Sequence, residues 1–295
     1  KQPGQAIGLL EQQQDSLLAE APESMALLIE LFIEDGKVFK ALPAWRSFAN
    51  RYPQRLETGL LEVKILFARG MQDRAMQRLD KMLQTFPESE EVARVSAVAL
   101  SFAGDYAKAL RVVEQQLQHS AQAPVWFNFK GTLHLMSGDA GNARMAFENA
   151  LSRDPNMVPA RANLAWLDYN QGNKSTALQS VEELAAQYPA QLPLQQMYAG
   201  MLLSSGQTEL AKERYESLYK QDSTERSVIE SLIAIYQREG DTAGAIKMLS
   251  RLVELEHDTA RNLLRRAQLY VSQQESNRAD LDLYRALPPS KGDAT

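Results

Sequence analysis

The side chains able to do covalent or metal chemistry are few and poorly spaced for it. Histidine occurs only at His119, His134 and His257, and cysteine is absent from the 295 residues. A nucleophilic triad needs an imidazole within reach of a hydroxyl or thiol and of an orienting carboxylate. A zinc hydrolase presents imidazoles at a spacing such as H-E-x-x-H. No histidine here begins such a motif, and each reads as a packing or surface residue. The adjacent acids Glu90–Glu91 and Glu182–Glu183 would diverge by about 100° on a helix, so neither pair makes an acid–base dyad. The Gly-Asp-Ala-Gly run at 138–141 lacks the Lys-Ser/Thr ending of a phosphate loop, and no G-x-G-x-x-G occurs. Without cysteine there is no disulfide, thiolate nucleophile, zinc finger or iron–sulfur ligation. The sequence reads as a non-enzyme with no cofactor and no metal.

Charge and composition narrow the class. With 32 basic against 37 acidic residues, the net charge is −5. A nucleic-acid binder relies on clustered cations to displace counterions, so this balance disfavours that partner. At 44% hydrophobic and 23% charged, the composition is that of an ordinary soluble protein. No apolar run approaches the ~20 residues of a membrane-spanning helix, so direct membrane insertion is not expected. The lack of thiols favours the periplasm or cell envelope over the cytoplasm.

The elements that would carry any function are set by a period of 34 residues. Glycine recurs at Gly36, Gly70, Gly104, Gly138, Gly172, Gly206 and Gly240. Alanine recurs five residues later, at Ala41, Ala75, Ala109, Ala143, Ala177, Ala211, Ala245 and Ala279. Pro53, Pro87, Pro155 and Pro189 fall where a second helix should stop and a new unit start. The period predicts seven helix–turn–helix units, at 22–55, 56–89, 90–123, 124–157, 158–191, 192–225 and 226–259. A partial capping unit follows at 260–287, and the tail at 288–295 is expected to be disordered. Residues 1–21 are expected to hold the second helix of a truncated preceding unit, spanning Gln5 to Leu18, in a piece of a longer protein. Its apolar edge at Leu9, Leu10, Leu17 and Leu18 would offer a route to self-association.

This pattern resembles the tetratricopeptide repeat family, whose period is 34 residues. The resemblance implies an all-α, right-handed superhelical solenoid. Numbered from each repeat's start, position 8 holds Ile29, Val63, Ala97, Gly131, Ala165, Ala199, Ile233 and Ala267, and position 20 is always Ala. Position 24 (Trp45, Leu79, Val113, Phe147, Val181, Tyr215, Leu249, Leu283) and position 10 are apolar throughout and should be buried stripes. Departures occur at position 7, with Glu62, Ser96, Lys130 and Arg266, and at position 11, with His134 and Asp168. They leave the local helix register open by one residue. The phrase at 162–178 further resembles bacterial envelope proteins that organise exopolysaccharide synthesis and export.

The family implies a protein-binding scaffold that takes an extended segment or a helix in a concave groove. The groove is lined by positions 2, 5, 6, 9, 12 and 13 of the first helices. Carried onto this chain, those positions are acidic at the N-terminal end, with Glu23, Glu30, Glu34, Glu57 and Glu91. The middle patch is Asn128, Phe129, Thr132, Met136, Asn163, Trp166, Tyr169, Asn170, Gln196 and Met197, and the basic end has Arg261 and Arg265. Aromatic residues with a polar handle suit interface anchoring. Phe129, Trp166 and Tyr169 have a second reading, as core against the neighbouring first helix. Arg261 and Arg265 match one half of the family's carboxylate clamp. Its other half would need Lys and Asn where this chain has Gln196 and Gly200, so a clamp is not expected. Alternatives to peptide binding are a self-assembling structural role and a regulatory arm on an enzyme.

Overall fold

The structure, a computed structural model, describes residues 3–118, 123–255 and 259–287. His119, His257 and the tail at 288–295 lie outside the described residues. Every described element is helical. The chain divides into two compact units, Lys1–Ala160 and Arg161–Thr295.

In the first unit the helices are α1 (Pro3–Glu11), α2 (Gln14–Glu20), α3 (Pro22–Glu34), α4 (Val38–Arg51), α5 (Leu56–Ala68), α6 (Gln72–Thr85), α7 (Glu90–Phe102), α8 (Tyr106–Leu117), α9 (Ala123–Met136) and α10 (Ala140–Arg153). Helix α11 (Val158–Asn170) runs into the second unit. There follow α12 (Lys174–Gln187), α13 (Leu192–Ser204), α14 (Thr208–Gln221), α15 (Arg226–Glu239), α16 (Thr242–Glu254), α17 (Thr259–Ser272) and α18 (Ser276–Ala286). From α3 to α10 in the first unit and from α13 to α18 in the second, a first helix packs on its own second helix, and that second helix packs on the next first helix.

The Gly-Asp turn explains how each pair is joined. All seven periodic glycines adopt positive φ, from 70° to 106°. That conformation ends a helix and is cheap only without a Cβ. In three repeats the next residue is an aspartate that starts the second helix. Asp105, Asp139 and Asp241 accept from the backbone N–H groups of Lys108, Asn142 and Gly244 at 3.1, 3.0 and 2.9 Å. At the far end, Tyr52, Phe86, Asp154 and Tyr188 each precede a proline and leave the helical region, with φ between −125° and −137°. Proline disfavours the α conformation in the residue before it, so these helices stop there.

The eighth unit shows what happens when the glycine is missing. Gln274, 34 residues after Gly240, is the one non-glycine among the described residues with positive φ, at 62°. A side chain in this left-handed conformation costs roughly 1–2 kcal/mol. Gln274→Gly is therefore expected to stabilise the α17–α18 pair by about 1 kcal/mol, read as a shift in the denaturation midpoint. A neutral or destabilising outcome would show that the turn is not strained.

The Asp caps make the fold sensitive to acid. The Lys108 backbone N–H is the chief group holding the Asp105 carboxyl below its ordinary range; for Asp139 it is the Asn142 side-chain amide. A carboxyl whose pKa is lower folded than unfolded stabilises the fold above the ordinary aspartate range. That stabilisation fades as pH falls through the folded value. Wild type should melt above the Asp105→Asn/Asp139→Asn variant at about pH 6, and the two should converge by about pH 2. An advantage that stayed constant down to acid pH would refute the assignment.

Positions 8, 20 and 24 hold with two exceptions, and at position 10 Leu31, Ala99 and Leu269 are only half-buried. All eight position-20 alanines and every position-8 residue are buried. Gly131 at position 8 lies so close to Phe147 at position 24 that a Cβ would stand 2.4 Å from the ring. At position 24, Trp45 is half-buried and donates its indole N–H to the Thr58 carbonyl at 2.9 Å. Leu283 departs from the expected buried stripe and is 42% exposed. The described residues include no helix after α18 to cover it.

The polar residues at position 7 do not shift the register. Arg266 lies against Asp282 with two bonds of 2.7 Å, and Lys130 reaches Glu114 at 2.8 Å. Glu62 pairs with Arg78 at 2.6 Å, an ion pair whose angle does not make a hydrogen bond, since the buried Arg78 Nε has no hydrogen-bond acceptor. Ser96 is buried with its hydroxyl unbonded. Each long side chain at this position thus finds an opposite charge on an adjoining second helix.

The N-terminal stretch departs from expectation in two ways. The single helix read from Gln5 to Leu18 is two helices, α1 and α2, broken at Gln12–Gln13. Ile7 from α1 and Leu17 from α2 both belong to one core with Met25, Leu28 and Phe32. Consequently Leu17 is buried, Leu10 and Leu18 pack against the same cluster, and only Leu9 of the predicted apolar edge remains exposed.

Candidate partner-binding surface

In the first unit, the outward face of α7 carries Glu91, Arg94, Val95, Val98 and Phe102, at the i, i+3, i+4, i+7 spacing of one helical stripe. Two cavities flank it. One, of about 550 Å³, is bounded by Phe67, Met76, Arg94, Val98 and Phe102. The other, of about 570 Å³, is bounded by Glu91, Arg94, Val98, Val125, Trp126 and Phe129. Arg94 and Val98 line both, so the two form one furrow along α7. Phe102 is 85% exposed at one end, and Phe67, Val98 and Val125 are also exposed. A run of open apolar side chains around a single arginine suits the docking of a mixed polar and apolar segment.

The predicted residues of this unit fall partly in the furrow. Asn128 and Phe129 line the second cavity. Phe129 is half-buried, packs against the core around Ala97, Leu100 and Val113, and lies 6.3 Å from the Trp126 ring. It therefore combines both readings, core on one edge and cavity wall on the other. Thr132 is turned to its own helix, donating to the Asn128 carbonyl at 3.1 Å, and Met136 is exposed.

In the second unit, Asn163, Trp166 and Asn170 share one face of α11. Trp166 is 39% exposed, and Asn170 donates its amide to the Trp166 carbonyl at 2.8 Å. Tyr169 departs from the expected groove contacts. It is 5% exposed, and its hydroxyl is bonded to the Met201 carbonyl at 3.2 Å and Ser204 Oγ at 2.9 Å. One residue's rotation, about 100°, turns a helical side chain from the exposed face into the core, and Tyr169 takes the core side. Gln196 and Met197 are half-buried on α13. At the basic end Arg261 is exposed, whereas Arg265 is engaged by the Glu230 carboxylate at 2.9 and 3.1 Å.

The expected acidic end is largely neutralised. Arg55 pairs with Glu23 at 2.6 Å and Glu57 at 3.3 Å, and Lys64 pairs with Glu30. Among the described residues, no three His, Asp or Glu side chains are grouped to hold a metal ion. His134 is half-buried, with Nδ1 3.5 Å from Asp139. No described helix is long and apolar enough to cross a membrane.

Sequence reasoning missed most of the furrow, because α7 was represented only by Glu91. The signal was available: Arg94, Val95, Val98 and Phe102 occupy positions 5, 6, 9 and 13 of the third repeat.

Comparison with known proteins agrees with the helix pairs. A family model described as tetratricopeptide repeat matches residues 134–201. The described helix pairs thus have the tetratricopeptide fold, and residues 134–201 match the family itself. No curated protein matches the chain. Among solved structures, the chain is similar to yeast Tom70 with a TM-score of 0.62 at 15% identity, over 90% of this chain and 55% of that one. It is similar to the APC/C hetero-tetramer Cut9–Hcn1 with a TM-score of 0.57 at 13% identity, over 93% of this chain and 51% of that one. A tetratricopeptide repeat protein from Parabacteroides merdae matches with a TM-score of 0.53 at 17% identity, over 90% and 91%. The array spans about half the length of the Tom70 and Cut9–Hcn1 chains. At these identities the likeness is one of fold.

Proposed function

We propose that the array is a non-enzymatic scaffold that binds a segment of another protein, with the α7 furrow as its principal contact. The observation that carries this reading is the open apolar run of Phe67, Val98, Phe102 and Val125 beside two cavities. Exposed apolar patches of this kind favour association, and a tetratricopeptide fold suits protein interaction. Asn128 and Phe129 extend the contact onto α9. Asn163, Trp166, Asn170, Gln196 and Met197 form a second proposed contact area, on the other unit, with Arg261 as a peripheral cation.

The test is selection of peptides from a displayed random library on the full chain, followed by affinity measurement on variants. Phe102→Ala removes an aromatic ring that is almost wholly exposed, so the fold should be untouched. It should weaken selected peptides by about 2 kcal/mol, the scale of an interface anchor. Trp166→Ala should have a comparable effect on peptides that reach the second area. Unchanged affinity for every selected peptide on Phe102→Ala, with helicity intact, would reject the furrow.

A further inference from the structure

The furrow contains a cation that the protein itself does not neutralise. Arg94 lines both cavities, and among the described residues it has no hydrogen bond, ion pair or ring contact. The other cations within first helices of this unit are matched, Lys64 by Glu30 and Lys130 by Glu114, and Arg55 just before α5 is matched by Glu23 and Glu57. Glu91 stands three residues before Arg94 on the same face, yet makes no ion pair with it. A guanidinium bordered by Val98, Phe102 and Val125 is well placed to receive a planar carboxylate in two parallel hydrogen bonds. Apolar walls that displace water strengthen such a contact relative to an open surface.

We propose that the furrow selects a peptide segment in which one internal Asp or Glu is flanked on both sides by bulky apolar residues, with Arg94 receiving the carboxylate. This rests on the furrow being the binding surface. The apolar flanks follow from the two cavities, one toward Phe67 and Phe102 and the other toward Val125 and Phe129. Arg94 lies eight residues from Phe102, about 12 Å along the helix. At about 3.3 Å per residue, an extended ligand covers that distance in three or four positions. The requirement for a single acid follows from the rim. Glu90 and Glu91 border the second cavity, and a further ligand carboxylate there would meet like charge. The carboxylate is a side chain rather than a chain terminus because the furrow continues past Arg94 in both directions.

The experiment is a parallel selection of a random peptide library, displayed with linkers at both ends, on the wild-type 295-residue chain and on its Arg94→Glu variant. Because Arg94 is exposed and unpartnered, the variant should keep the wild-type helicity and melting curve. Wild type is expected to enrich one Asp or Glu position between Phe, Leu, Ile or Trp residues. Arg94→Glu should enrich Lys or Arg at that position and bind the wild-type peptides at least tenfold more weakly. Synthetic peptides with amidated C-termini should retain full affinity. An apolar consensus without an acid, or peptides that bind both proteins equally, would overturn the role of Arg94. If those peptides still depended on Phe102, the furrow reading would stand without the carboxylate. Binding that required a free C-terminus would overturn the internal position. A failure to select any Phe102-dependent peptide would overturn both readings together.

Discussion

Asp282→Ala should cost the second unit about 3–5 kcal/mol, the usual penalty for breaking a buried pair by removing one partner. The side chains of Arg266 and Asp282 are only 11% and 3% exposed. The carboxylate accepts from Arg266 Nε and Nη2 at 2.7 Å each, while Nη1 donates to Ser250 Oγ at 2.8 Å. Removing the carboxylate leaves a guanidinium that cannot deprotonate, in a site with little water. The array is held by nearest-neighbour interfaces, so the loss should concentrate in α17 and α18. Hydrogen exchange of those helices is the direct measurement, with denaturant unfolding as the global one. The pair need not be net stabilising relative to apolar packing. Arg266→Met/Asp282→Leu should therefore lie near wild type or above it, because neither charge remains to be desolvated. An Asp282→Ala variant within about 0.5 kcal/mol of wild type would show that the pair is not buried in solution.

Gly131→Ala should destabilise the first unit, reversing the usual sign of this substitution. Replacing a mid-helix glycine by alanine ordinarily gains about 1 kcal/mol. Here the new methyl would lie 2.4 Å from Cε1, 2.6 Å from Cδ1 and 2.8 Å from Cζ of Phe147. The ring is fully buried, so it can move only by displacing its own neighbours. Overpacking of this kind costs about 1–3 kcal/mol. The double variant Gly131→Ala/Phe147→Leu, which removes ring atoms at the clash, should recover much of the loss. That recovery would appear as a coupling energy between two residues in contact. A single variant as stable as wild type would mean that α9 and α10 sit further apart than described.

The scaffold was legible because its signals are local and repeated. A glycine that ends a helix and an alanine that admits a close neighbour each act within one helix pair, and 34-residue recurrence repeats the test along the chain. Even the exceptions lie on this register: Gln274 takes the left-handed turn without being glycine, and Leu283 takes the packing position while staying 42% exposed. The charged residues at position 7 were harder to read. Arg266 becomes a core residue only because Asp282 stands sixteen residues away on the partner helix.

The candidate surface was less legible, since exposure depends on what the adjoining helices bring. Phe129 and Tyr169 were grouped together by repeat position. Phe129 does border a cavity, whereas the Tyr169 hydroxyl is satisfied by Met201 and Ser204 from the next first helix. Phe102 and Arg94 follow the same positional rule and received no weight, although they border the open furrow. The amino-acid sequence by itself determined the helix pairs, their turns and their packing residues, because those depend on short-range geometry. Only the tertiary structure decided which side chains stay open to a partner and which cation goes unmatched, because both depend on helices one or two repeats away.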